Sequence, residues 1–192
     1  TPDSERTMCT FLGTAGKISD KDIDEDKVKN SEITMLEGYL WDEGEPKKAF
    51  DKAIKNSNRL AMSLSDLFCV ERHKENFLEL VENKLDIIFA NEQEILSLLN
   101  TNSFEDVISY SKKIKKEIVI TRGEKGALAI KNDKVYEQEA KKNLLVTDLT
   151  GAGDLFAAGY LHGVINEMGV ERSLQKGTDL SAVIIQKIGA RI

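Results

Sequence analysis

Residues 60–99 read LAMSLSDLFCVERHKENFLELVENKLDIIFANEQEILSLL, and their alternation decides the fold. Apolar residues 60–64 and 85–90 have strand length, while 70–83 and 92–99 have the spacing of helices. Strand, helix, strand, helix is the pattern of βαβ units, in which a helix carries the chain back to a parallel strand. Upstream, 33–40 reads as a strand, and Pro46 opens a helix over 46–56 at a position where its missing N–H costs nothing. Downstream, a helix over 104–114 leads into strand 117–121, then short strands at 127–130 and 134–137, and another closing at Val146. Helices over 152–168 and 173–188 finish the chain. Leu155, Phe156, Leu161, Val164 and Met168 on one, with Leu180, Val183, Ile184 and Ile188 on the other, are expected in the core. The fold class is α/β, a mainly parallel sheet flanked by helices on both faces.

At the other end, 6–12 alternates apolar and polar residues up to Gly13 and reads as a strand. Residues 17–31 hold five acids and four lysines, the composition of a solvated connection or surface helix. With two prolines and no Ser/Gly-rich linker, residues 1–192 are expected to form part of a single domain.

The balance of 27 Lys+Arg against 33 Asp+Glu gives a net charge of −6, which excludes the basic stripe of a nucleic-acid binder. The apolar share of 41% sustains a packed core and argues against disorder. Apolar runs of four, such as 87–90 and 182–185, are far short of the roughly 18 residues of a membrane span. No signal peptide is legible at the first residues, and Cys9 and Cys69 are expected as buried single thiols, so a cytoplasmic setting is expected. A chain that opens on Thr1 implies further sequence upstream. His73 and His162 lack zinc-ligand spacing, Trp41 reads as packing, and Lys112, Lys113, Lys115 and Lys116 read as a solvated helix face.

The chemistry is concentrated in Asp148-Leu149-Thr150-Gly151-Ala152-Gly153-Asp154-Leu155-Phe156-Ala157-Ala158-Gly159. A glycine-containing turn opening a helix presents unpaired N–H groups and the positive end of the helix dipole, a site for an anion. Asp154 in the first turn is suited to accept a proton from a hydroxyl attacking phosphorus. A helix cap with a tight turn accounts for the same residues. The dinucleotide fingerprint needs glycine where Phe156 stands, and no P-loop sequence occurs.

This segment resembles the DTTGAGD signature of the ribokinase-type (PfkB) carbohydrate and nucleoside kinases. The resemblance implies a ribokinase-like fold and makes Asp154 the base, with Gly151, Ala152 and Gly153 stabilising the phosphoryl charge. Asn91-Glu92-Gln93-Glu94 is similar to the family's N-x-x-E motif, which implies that Asn91 and Glu94 lie near Mg²⁺ and the nucleotide phosphates, Glu94 acting through water. An ordinary capping box has the same pattern. Thr121-Arg122-Gly123-Glu124-Lys125-Gly126 resembles the T-x-G-x-x-G loop beside the nucleotide, which involves Thr121, Gly123 and Gly126, although a two-glycine hairpin has the same form. Asp148 and the Thr150 carbonyl would sit by a monovalent cation such as K⁺, with Gly189 and Ala190 at the far wall.

Residues 36–42 and 63–68 are similar to adenosine-kinase-like members. The resemblance implies ATP with Mg²⁺ as cofactors, a small-molecule nucleoside or sugar as substrate, and a homodimer in the full-length protein. It covers the C-terminal three-fifths of a member, so the N-terminal strands, the lid and the groups that grip the acceptor have no counterpart. Turnover by this chain alone is therefore expected to be poor. A nucleotide-binding regulatory protein without productive catalysis is the alternative.

Overall fold

The computed structural model describes residues 9–41 and 44–192. Six strands, β1 (Thr34–Glu37), β2 (Leu60–Ser63), β3 (Ile87–Asn91), β4 (Glu117–Thr121), β5 (Ala127–Lys131) and β6 (Lys134–Gln138), form one sheet in chain order. Helix α1 (Glu25–Lys29) precedes them, α2 (Glu45–Asn56), α3 (Leu67–Asn83), α4 (Glu92–Leu99) and α5 (Phe104–Ile114) run between them, and α6 (Ala152–Ile165) and α7 (Val170–Ile184) follow.

The described residues divide into two compact units, one made of those within 11–119 and 130–134, the other of 9–10, 120–129 and 135–192. In the first unit β1, β2 and β3 are parallel, with Leu36 opposite Met62 and Met62 opposite Ile88. Helices α2 and α3 each carry the chain from one parallel strand to the next. Leu60, Ala61 and Met62 are buried in succession, as are Ile87, Ile88 and Phe89, so both pleat faces are covered. Trp41 is buried edge-on to Phe50, with ring centroids 5.3 Å apart. Glu117 is buried and held by Lys131 at 2.7 Å and Arg59 at 3.4 Å.

In the second unit α6 and α7 pack through glycine. A Cβ on Gly159 would stand 2.7 Å from the Lys176 carbonyl, and one on Gly177 would stand 2.8 Å from the Phe156 carbonyl. The strands β5 and β6 are joined by Asn132 and Asp133, both at positive φ (51° and 63°), the primed two-residue turn of an antiparallel hairpin. The sheet is thus mixed but mainly parallel.

Several expectations are corrected. Residues 6–8 lie outside the described residues, and 9–12 form no strand: Phe11 is 94% exposed. Alternation there has no neighbouring strand to pair with, and propensity alone does not hold a strand. Cys9 is exposed, whereas Cys69 is buried as expected. Asp42, in the 36–42 stretch, also lies outside the described residues. No strand closes at Val146, because Thr147 and Asp148 both donate to the Ile185 carbonyl at a helix end. The helix expected to run to 168 stops at Ile165 and the next begins at Val170, since Glu167 and Gly169 take positive φ. Met168, Val183 and Ile188, expected in the core, are exposed, because α6 and α7 meet on their small residues rather than on their largest ones.

Candidate active site

The chain from 148 to 154 is shaped by one carboxylate. Asp148 Oδ1 accepts from the Thr150 N–H at 2.8 Å and the Thr150 hydroxyl at 2.6 Å, while Oδ2 accepts from the Gly189 N–H at 2.8 Å. That closes an Asx turn and ties it to the segment after α7. Gly151 then caps α6 at φ 79°, where a Cβ would stand 3.0 Å from Ala190, so its missing side chain makes room for Ala190. Gly153 is different: nothing lies within 4 Å of where its Cβ would be, so the open space of the turn is there.

The Ala152 N–H reaches the Leu149 carbonyl at 3.2 Å, and the Leu155 N–H returns to the Gly151 carbonyl at 3.0 Å. Between them the amides of Gly153 and Asp154 keep no protein acceptor among the described residues, the orphan donors of a helix N-terminus. Asp154 is exposed, and its carboxylate has no hydrogen bond or ion pair among the described residues. The sequence expectation gave three residues to the anion turn; the geometry leaves Gly153 and Asp154 as its open donors.

The loop after β4 lies in the same unit. Arg122 donates to the Gly126 carbonyl at 2.8 Å and Gly126 to the Gly123 carbonyl at 3.0 Å, closing the turn. At φ 88° and ψ −139° Gly126 has a conformation for glycine alone, and a Cβ there would fall on the Gln138 carbonyl. Gly123, at φ 56°, faces open space.

These two segments border a cavity of about 860 Å³. Thr121, Gly123, Gly126, Ala152 and Gly153 line it, together with apolar Val146, Leu149, Phe156, Ala182 and Ile185. Sequence reading missed residues 140–144, which form a further wall, and the α7 face Thr178, Ser181, Ala182 and Ile185. That face has i, i+3, i+4, i+7 spacing, with two hydroxyls on an otherwise apolar stripe as the signal that could have found it. Ser181 donates to the Ala152 carbonyl at 2.6 Å, which secures α7 to the start of α6. Thr178 is buried and its hydroxyl has no partner among the described residues.

Asn91 and Glu94 lie in the first unit, at the β3–α4 junction. Asn91 caps α4 by accepting from the Glu94 N–H at 2.8 Å. Glu94 returns both carboxylate oxygens, Oε2 to the Asn91 N–H at 2.9 Å and Oε1 to the Asn91 side-chain amide at 2.7 Å. This is a capping box with an added side-chain bond. Burial pushes the Glu94 carboxyl up to about 7, the Asn91 N–H opposes the rise, and Asp66 adds to it. Among the described residues no group of three or more His, Cys, Asp or Glu is placed to hold a metal ion. No helix among them is long and apolar enough to cross a membrane.

Adenosine kinase of Schizosaccharomyces pombe is 26% identical over 99% of this chain and 62% of its own length. Among solved structures, adenosine kinase from Sinorhizobium meliloti superposes with a TM-score of 0.88 and 34% identity, over 92% of this chain and 56% of that one. A probable sugar kinase from Rhizobium etli gives a TM-score of 0.86 and 36% identity, over 92% and 55%. The chain thus spans about three-fifths of the length of these relatives. Its fold is ribokinase-like, and its relatives are nucleoside and sugar kinases. The whole of residues 1–192 matches the profile of the pfkB family carbohydrate kinases, and the chain belongs to that family.

Proposed function

We propose that this chain carries the nucleotide side and the base of an ATP-dependent phosphotransferase that phosphorylates an alcohol group of an adenosine-like nucleoside or a sugar. The carrying observation is a cavity bordered both by the 121–126 loop and by the first turn of α6, with amides at Gly153 and Asp154 that have no acceptor among the described residues. The apolar walls suit a base, the small residues leave room for phosphates, and the helix N-terminus favours their charge.

In this reading the acceptor hydroxyl loses its proton to the Asp154 carboxylate as its oxygen bonds to the γ-phosphorus, and the bond to the ADP oxygen breaks. The amides of Gly153 and Asp154 oppose the charge that builds on the transferred group. Gly151 positions the turn, with Ala152 as its first helical residue. Asn91 and Glu94 are the residues that would hold Mg²⁺, through water, and the ion would supply neutralisation of phosphate charge. Asp148 and the Thr150 carbonyl would hold a monovalent cation such as K⁺, and a homodimer and a cytoplasmic setting belong to the same reading.

A second reading is nucleotide binding without turnover, for which the cavity alone would suffice. Calorimetry with ATP, alongside coupled ADP release with adenosine, ribose and fructose, separates the two. Acceptor-dependent ADP release supports the kinase, binding without release supports the second reading, and no binding removes both.

A further inference from the structure

Residues 139–150 contain no helix or strand, and none of them is buried, although 140–144 and Val146 wall the cavity. Such a segment opens at little cost, since few apolar contacts are lost when it lifts. It is secured at both ends. Gly126 packs without room for a Cβ against Gln138 and Ala140, and the Thr147 N–H donates to the Ile185 carbonyl at 2.7 Å. Between these anchors, Lys141 Nζ lies 2.7 Å from Asp179 Oδ1 on α7. Asp179 follows Thr178, and Lys141 and Thr178 both line the cavity.

We propose that the Lys141–Asp179 ion pair is a latch that holds the 139–146 segment across the cavity and sets the rate at which a nucleotide enters and leaves. The proposal rests on reading the cavity as a nucleotide site. The partners are 44% and 46% exposed, so solvent and salt screen the pair. An exposed pair biases an equilibrium by about five-fold at most, which suits a contact that must break at every exchange. The neighbouring pair Lys142–Glu139 lies wholly within the segment and serves as a control.

Stopped-flow binding of a fluorescent ATP analogue to the purified chain tests this. Asp179→Asn is expected to raise both entry and exit rates about two- to five-fold, so that Kd moves less than either rate. Raising NaCl from about 0.05 to about 0.5 M should speed exchange in the wild type and not in the variant. Lys141→Asp combined with Asp179→Lys should restore the slow rates, and Glu139→Gln, which breaks the control pair at a residue outside the cavity lining, should leave them unchanged. Without nucleotide, hydrogen exchange at amides 140–146 should quicken several-fold in Asp179→Asn. Unchanged exchange in that variant overturns the latch. If the wild type binds no nucleotide, the reading of the cavity fails while the exchange measurement still decides the latch.

Discussion

Asp148 and Gly189 are joined through a 2.8 Å hydrogen bond across 41 residues, and the same carboxylate holds Thr150. The turn before α6 and the chain after α7 therefore take their positions from one side chain. Asp148→Asn keeps an oxygen for Thr150 but offers an amide to the Gly189 N–H, donor against donor. We expect a loss of about 1–3 kcal/mol in urea unfolding, with weaker nucleotide binding. Unchanged stability would mean that the turn is held by other contacts.

The Asp154 carboxylate makes no hydrogen bond or ion pair among the described residues, and its place in the first turn of α6 contributes at most about 1 kcal/mol. Asp154→Asn should leave the urea midpoint and ATP affinity within about two-fold while lowering acceptor-dependent turnover by about 10²–10⁴. Retained turnover would remove Asp154 as the base.

The two loop glycines should behave differently under the same substitution. Gly126→Ala puts a methyl group on the Gln138 carbonyl and requires a backbone shift, so a loss of about 2–4 kcal/mol is expected. Gly123→Ala meets no atom and should cost only about 1 kcal/mol, the left-handed penalty of its φ. Thermal unfolding of the two variants checks the ratio, and equal losses would contradict the packing described.

Thr178 has a buried hydroxyl with no partner among the described residues. Thr178→Val has nearly the same shape and removes the unpaired group, so the ligand-free protein should gain up to about 1 kcal/mol. If the hydroxyl bonds the nucleotide, affinity should fall about 5- to 30-fold in the same variant. Calorimetry alongside melting separates the two effects; a variant that binds as tightly as wild type denies Thr178 a ligand role.

Glu94 should register as a pH dependence. Its folded pKa, about 7, lies above the ordinary 4.5, so the folded state holds a proton that the unfolded state gives up. Stability from this group is complete below about pH 4.5, declines as the pH rises towards 7, and is gone above it. Glu94→Gln cannot ionise, so from pH 5 to pH 8 it should gain on wild type by roughly 1–3 kcal/mol. A constant difference across that range would show that Glu94 is not the group responsible.

The βαβ alternation was readable because helices and buried strands carry different apolar periods, and the amino acids record those periods locally. Helix α2 opens near Pro46, and α4 and α5 match their expected spans, because proline, asparagine and serine at helix starts act within a few residues. The turn at 151–154 was legible for the same reason, as was the capping geometry of Asn91 and Glu94. Other features depend on residues far apart in the chain. Whether Gly151 makes room for a ligand or for Ala190, whether Thr178 finds a partner, and which faces of α6 and α7 meet were decided only when the chain packed. Those outcomes depend on distances across the fold, to which a local sequence pattern contributes nothing until burial brings the groups together.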